Sequence, residues 1–342
     1  MLQLHHLPSS ALHEPPPRGE WLGAACFGAA AGAASAGASI LPLACVQVQP
    51  LAHDGAPMQT PCEAWAATGP LHQGRHGALH WRCNDAWWFG VIHLDEASAH
   101  AADGSGTPLQ RAARQAYTTL FEALAAQGFA HLVRVWNHVA DITDTTDGLE
   151  RYRQFNIGRQ DAFLAQGRSI EGGSVPAASA LGAAAGAPLA LYALAARQPA
   201  LAIENPRQTS AYHYPSDYGP RSPTFSRATL ATVAREPFLF ISGTASIVGH
   251  RTLHAGDVVE QTRETLRNLQ AVLDQIGCAG VTRWELSQLH YKIYVRHAAD
   301  WPKIHAELRR AVGSRAPVLA LQADVCRSDL LVEIEAAGSR HE

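Results

Sequence analysis

The chain has 342 residues, enough for two domains of ordinary size or one large fused one, and nearly half of them are apolar. A substantial core can therefore be buried, although much of the apolar share is alanine, which adds little buried area per residue. The formal net charge is −3 and no stretch is strongly basic, which leaves no electrostatic footprint for nucleic acid or an acidic membrane surface.

In chain order, Met1–Trp21 carries no basic stretch followed by an apolar one, so a cytoplasmic protein is expected rather than a secreted one. The longest apolar run, Leu22–Val46, is rich in Ala, Gly and Ser and reads as a glycine-broken strand and loop, not a membrane span. Six cysteines (Cys26, Cys45, Cys62, Cys83, Cys278 and Cys326) form no CxxC pair and no zinc-ligand spacing, so reduced thiols are expected. The histidines are scattered without an HExxH arrangement, and neither a metal nor a cofactor is expected. Ala116, Tyr117, Leu120, Phe121 and Leu124 make a helical stripe, Gly128 stops it, and a strand follows over His131–Val139. The segment Gly172–Pro199, rich in Ala, Gly and Leu, reads as a small-residue stretch or buried helix, with the domain boundary near Pro199.

Glu204–Ala228 is then a long loop dense in aromatic residues, and a loop of that length inside a compact domain is usually functional. A buried strand over Pro237–Ser246 leads to the clearest helix. Asp257 and Glu260 form its capping box, Val258, Val259, Thr262, Leu266, Leu269, Val272, Leu273 and Ile276 its core stripe, and Gly277 its stop. Leu289, Tyr291, Ile293 and Val295 alternate as in a half-buried strand. A second helix covers Trp301–Val312 with Asp300 as N-cap and Gly313 as stop, and strands over Pro317–Val325 and Leu330–Ala336 close the chain. Helix, glycine, strand and a closing His-x-Ala-Asp occur in both halves, at His138–Asp141 and His297–Asp300, which suggests a diverged duplication of one α+β unit.

Four groups could carry chemistry. Arg207, Arg221 and Arg227 with Tyr212, Tyr214 and Tyr218 suit a small dianionic ligand, since arginine forks bind carboxylates and tyrosines add neutral donors. The bland alternative is surface pairing of the arginines with Glu204 and Asp217. Tyr152 and Arg159 are seven apart and share a face if Glu150–Arg159 is helical; a solvated helix face would look the same. In the last strand Leu331, Glu333 and Glu335 point one way, and a carboxylate embedded there would be desolvated, hold its proton near neutral pH and serve as a general acid. An edge strand with ordinary solvated glutamates is the alternative. Ser242–Ser246 places Gly243 where a ligand can approach the backbone, but it is not GxSxG, and the chain has no P-loop and no GxGxxG.

From Phe238 to Ala336 the chain resembles the RidA (YjgF) type of protein. The resemblance rests on Phe-Ile-Ser-Gly, on Glu260-Gln-Thr with Asn268, on the strand near Tyr294, and most of all on Leu331-Val-Glu-Ile-Glu-Ala336. The full length is similar to the chorismatases, which join a RidA-like C-terminal domain to a related N-terminal one. Glu204-Asn-Pro-Arg-Gln208, the Tyr-rich stretch to Arg227, and Arg151–Arg159 match that family's motifs. The resemblance implies an α+β fold of two RidA-like units, each a mixed sheet with helices on one face: residues 1–199 with an N-terminal extension, and 200–342 carrying the acid. It implies a metal-independent enzyme that splits chorismate into pyruvate and 3-hydroxybenzoate, with 4-hydroxybenzoate open as a second aromatic product. Glu333 would protonate the enolpyruvyl methylene, and Cys326 would help take a proton from the ring. Tyr152, Arg159, Gln208, Tyr214 and Arg227 would hold the substrate, and Gly243 and Ala245 would shape its pocket. RidA proteins are trimers with sites between subunits, whereas a fused chain can build its site between its own halves, so a monomer is expected, with chorismate as its small-molecule partner. The rival readings are a chorismate hydrolase giving a dihydroxycyclohexadiene carboxylate, an enamine/imine deaminase using an arginine near Ser314–Pro317, and a non-catalytic binding module on the same fold.

Overall fold

The computed structural model describes residues 1–28, 41–54, 58–99, 105–278 and 283–339. In chain order the elements are β1 (Leu2–Pro8), β2 (Glu20–Phe27), β3 (Leu43–Val46), β4 (Gln49–His53), β5 (Pro61–Ala67), β6 (His72–His76), β7 (Leu79–Cys83) and β8 (Trp87–Leu94). Next come α1 (Pro108–Ala126), β9 (His131–Ala140), the small hairpin β10–β11 (Thr145–Thr146 and Leu149–Glu150), α2 (Arg151–Ala165), β12 (Ala177–Ala183) and β13 (Leu189–Ala196). The second half holds β14 (Ala200–Ile203), β15 (Ala228–Val233), β16 (Glu236–Thr244), the hairpin β17–β18 (Ile247–Val248 and Arg251–Thr252) and α3 (Val258–Cys278). It closes with β19 (His290–Val295), α4 (Trp301–Val312), β20 (Val318–Gln322) and β21 (Val332–Ser339).

The duplication is visible in strand order. One sheet runs β12-β9-β13-β8-β7-β6, and another runs β20-β19-β21-β16-β15-β14 with β4 added beside β20. The parallel pairs are β9–β12 and β19–β20, each the strands flanking the second helix of its unit. The strands β9 and β19 begin 159 residues apart, as the repeated motif suggested, but the motif itself diverges. His138 lies inside β9, whereas His297 is exposed just before the 3-10 turn Ala298–Asp300.

The two large sheets face each other. Trp136, Tyr192, Leu194, Phe240, Tyr294 and Leu321 pack between them, α1 and α2 cover the outer face of the first, and α3 and α4 that of the second. A third sheet, β1-β5-β2-β3, sends Trp65 into this interior, where its ring meets Trp136 at 5.8 Å and Phe240 at 5.7 Å. Among the described residues no helix is long and apolar enough to cross a membrane.

Several local expectations need correction. Gly172–Pro199 forms no α-helix but, after a 3-10 turn at Gly172–Ser174, the buried strands β12 and β13, whose small and apolar residues fill a position covered on both faces. The strand at 290–295 is buried on both sides, because Lys292 and Tyr294 face the first large sheet instead of solvent. Asp300 makes no side-chain cap, being the last residue of a 3-10 turn that runs straight into α4. Gly277 lies inside α3 and so does not stop it there, whereas Gly313 does end α4 with a positive φ of 81°. Asp257 caps α3 as expected, accepting from the Val259 and Glu260 amides. Cys26 and Cys62 face each other on neighbouring antiparallel strands, 4.0 Å apart at Cα, and are joined as a disulfide, so these two are not reduced thiols. Most of the apolar run after Phe27 lies outside the described residues.

One glycine sets the position of α2. A Cβ on Gly158 would stand 2.1 Å from the Gln110 carbonyl of α1, so only glycine allows the two helices this approach. Gly158→Ala should push α2 outward and cost about 1–3 kcal/mol as an overpacking change. Chemical denaturation would read it as a lowered midpoint with an unchanged slope, and an unchanged midpoint would mean that α1 and α2 separate freely.

Candidate active site

The edge strand β12 of the first unit lies against the second unit. The Ala178 amide donates to Ser242 Oγ at 2.9 Å, and the Gly243 amide donates to Ser179 Oγ at 3.0 Å. Beside this seam opens a cavity of about 280 Å³. Helix α2 supplies Tyr152, Arg153 and Arg159 to its wall, and β12 supplies Ala178, Ser179 and Ala180. The loop before β15 adds Tyr214, Tyr218, Phe225 and Arg227, β16 and its turn add Gly243 and Ala245, and the last loop and strand add Cys326, Arg327 and Glu333. Both units are needed to close it.

The arginines are prepared for an anion. Arg159 is 1% and Arg227 4% exposed, and among the described residues the Nε of each has no hydrogen-bond partner. A buried N–H left in that state is costly, and a carboxylate ligand would satisfy it. Arg159 is steadied by Asn156 Oδ1 at 2.7 Å, and Arg227 donates to the Thr209 carbonyl and to Tyr214 Oη at 2.9 Å. Arg327 lies 4.2 Å over the Tyr218 ring and donates to the His250 carbonyl. Among the described residues none of Arg159, Arg227 and Arg327 is in a salt bridge, whereas Arg153 pairs with Glu150 at 2.9 Å. Burial pushes the Tyr152 hydroxyl up, so it stays a neutral donor.

Glu333 is 4% exposed in a central strand, not an edge strand, since β21 is flanked by β16 and β19. Burial, then the charge of Glu335, push its carboxyl up to about 8, while Arg134 and Arg227 pull the other way. The group is thus protonated at neutral pH and faces the cavity. Gly243 makes room for it, because a Cβ there would stand 1.8 Å from Glu333 Oε1. Next to it the Cys326 thiol is pushed up to about 12, by burial first and then by Glu333.

Of the residues anticipated from sequence, Tyr152, Arg159, Tyr214, Arg227, Gly243, Ala245, Cys326 and Glu333 line one cavity. Gln208 does not line it; its amide holds the Ile247 carbonyl at 3.0 Å, behind the pocket wall. Arg207 and Arg221 turn elsewhere, to Glu264 at 2.5 Å and to Asp161 at 3.7 Å, so the bland alternative holds for these two with different partners. Sequence reasoning missed Ser179, hidden in a segment read as featureless, and Arg327, adjacent to Cys326. It also missed Arg134 and Lys292, whose signal was a lone cation inside an otherwise apolar strand pattern.

Comparisons with known proteins agree with this geometry. A family model described as chorismatase FkbO/Hyg5-like, N-terminal, matches residues 63–195, and one described as endoribonuclease L-PSP, of the RidA-like fold, matches residues 224–339. A chorismatase of Streptomyces rapamycinicus is 38% identical over 281 residues, covering 80% of this chain and 80% of its own. A 3-hydroxybenzoate synthase of Streptomyces hygroscopicus is 43% identical over 259 residues, covering 72% of this chain and 75% of its own. A chorismatase crystal structure superposes with a TM-score of 0.84 at 31% identity, covering 99% of this chain and 98% of that one. On this similarity along most of its length, with two sheets of matching strand order already in view, the chain belongs to the chorismatase family.

Proposed function

We propose that the protein cleaves chorismate to pyruvate and a hydroxybenzoate, 3-hydroxybenzoate first among them, with Glu333 as the general acid. The observation that carries this reading is a buried carboxyl, pushed up to about 8, at the wall of a cavity that also holds two buried arginines whose Nε atoms have no partner among the described residues. Chorismate carries two carboxylates, and Arg159 with Tyr152 on one side and Arg227 with Tyr214 on the other offer two places for them. Its enol ether carbon is weakly basic, and a carboxylic acid kept neutral in an apolar site suits that protonation. The proton goes to the methylene, an oxocarbenium ion forms at the ether carbon, and a water molecule adds there with loss of a proton. The resulting hemiketal collapses by breaking the bond between that carbon and the ether oxygen, which releases pyruvate and leaves the ring as a diol. The ring then gives up one carbon-bound proton and one hydroxide, together the water that was added, and becomes the aromatic acid. The sum is chorismate to pyruvate plus hydroxybenzoate, with no oxidant or reductant.

Cys326 fits a relay better than a resting base. Its thiol is held protonated, so a ring proton it accepts must be passed on as its own is given up. Glu333, left as a carboxylate by the first step, is the base in its electrostatic field, and taking that proton restores the acid for the next turnover. The hydrolase reading leaves a cavity-lining thiol without use. The deaminase reading is disfavoured because Arg315 is exposed in the turn before β20 and does not line the cavity. A binding module would not need an acid held protonated. Because the arginines, the tyrosines and the acid come from one chain, the site can operate in a monomer, and light scattering during turnover tests this.

Purified protein mixed with chorismate should release pyruvate and an aromatic acid, followed by chromatography. Glu333→Gln should lower turnover by roughly 10²–10⁴-fold, the usual worth of a general acid, with KM little changed. In the wild type the acid form is the active one, so kcat should be flat below pH 8 and fall as pH rises through about 8. Normal activity in Glu333→Gln would remove the assignment. Gly243→Ala, which forces the Glu333 carboxyl aside, should depress kcat more than it raises KM. Cys326→Ala should change the product mixture toward a non-aromatic diol while chorismate loss continues; an unchanged product ratio would take Cys326 out of the ring step.

A further inference from the structure

Below the cavity floor lies a second, closed set of charges that the reaction as described does not touch. Glu335, two residues from Glu333 on the same face of β21, is 5% exposed. Its Oε2 accepts from Arg134 Nη2 at 2.5 Å and Ser179 Oγ at 2.6 Å, and its Oε1 accepts from Trp136 Nε1 at 2.9 Å and pairs with Lys292 Nζ at 2.6 Å. Lys292 in turn holds Glu63 of β5 at 2.5 Å. Strands β9, β12, β19, β21 and β5 all contribute, so the cluster joins both units and the third sheet. None of Arg134, Lys292, Glu335 or Glu63 lines the cavity.

We propose that Glu335 is a positioning residue for Glu333: fixed as an anion by Lys292 and Arg134, it supplies the negative charge that keeps the neighbouring carboxyl in its acid form, and through Ser179 it is tied to the Gly243 backbone against which that carboxyl rests. This rests on Glu333 being the acid. The geometry is specific, because Glu335 Oε2 has two protein partners and Oε1 three, Tyr294 Oη reaching it at 3.5 Å, whereas among the described residues no hydrogen bond of the protein ends on the Glu333 carboxyl. Burial opposes ionisation of Glu335, but the Lys292 and Arg134 charges and the hydrogen bonds of Lys292 and Ser179 outweigh it and hold it down to about 2. Two like groups in one dry region divide the roles, one permanently charged and one neutral. The other groups facing Glu333 are Tyr294 across the ladder on β19, Arg134 on β9, Ser179 on β12, Arg227 before β15, Cys326 in the last loop, and Tyr152 and Arg159 on α2. Of these, the cations would lower its proton affinity, so Glu335 is the charge that offsets them.

The test is the pH dependence of kcat for pyruvate release from chorismate. Glu335→Gln removes the like charge and should move the alkaline limb down by about one pH unit, with activity recovered in mildly acidic buffer and KM within about twofold of wild type. Arg134→Gln removes a cation and should move the limb the other way. Opposite shifts in two variants of the same buried cluster would not come from loosened packing, which lowers kcat at every pH alike. If Glu335→Gln fails to fold, Glu335→Asp, which keeps the charge but draws it back from Glu333, should move the limb down by a smaller amount. Limbs that stay in place, or move together, overturn the inference while leaving Glu333 as the acid. Activity that survives Glu333→Gln overturns the underlying assignment instead, so the two failures are distinguishable.

Discussion

Burying a carboxyl in an apolar strand raises its proton affinity, and burying a second one beside it raises it further. The interior of this protein spends two cations on the second carboxyl and none at hydrogen-bonding distance on the first. That asymmetry decides where the other parts go. Lys292 stands directly across the ladder from Glu335 and both point into the space between the sheets, so β19 is buried on both faces. Arg134 must arrive from the opposite sheet, so the two units must dock face to face. Glu63 balances Lys292 from the third sheet, so the N-terminal strands are part of the same electrostatic arrangement and not an appendage. A buried cluster of this kind is weak evidence for stability, since packed apolar residues could fill the space as well. Its value lies in fixing register and charge.

The seam follows from the same arrangement. Ser179 accepts from Arg134 and from the Gly243 amide while donating to Glu335. One hydroxyl therefore links the edge strand of the first unit, the backbone of β16 and the charge on β21. The cavity above it inherits a floor that cannot shift without disturbing an ion pair.

Much of this was legible in the sequence, for identifiable reasons. Helix α3 was legible because its stripe has a clean 3.6-residue period and a capping aspartate. Glu333 was legible because a carboxylate in an apolar alternating strand is costly unless it has a use. Tyr152 and Arg159 were legible as a pair because seven residues make two helical turns. What escaped was whatever depends on which strands meet. Ser179 gave no signal, since its segment alternates small residues and reads equally as helix; only the seam makes its hydroxyl matter. Arg207 and Arg227 look alike in sequence, yet one is drawn to Glu264 on α3 and the other faces the cavity. Gln208 was swept in with its neighbours, although the turn at Asn205–Gln208 directs it to the back of the wall. The Cys26–Cys62 pairing escaped because it depends on the register of β2 against β5, which no local pattern reveals.

A duplicated chain raises the question of why the cavity is built on one side. The strand that meets the opposite unit in the first half is β12, and its counterpart by sheet order is β20. Where β12 leaves its outer edge to β16 and the cavity, β20 has that edge covered by β4, an antiparallel strand from the N-terminal segment. The counterpart of β21 is β13, whose sequence Leu189–Ala196 contains no acid. The first unit therefore carries no counterpart of the cavity: the corresponding edge is covered and the corresponding strand holds no carboxylate. That side is given to packing instead: Tyr192 of β13 stacks on Trp136 at 4.8 Å, directly beside the charges that Glu335 gathers. The first unit thus brings Arg134 and Ser179 to Glu335, and the charges around Glu333 come in part from strands with which it shares no sheet.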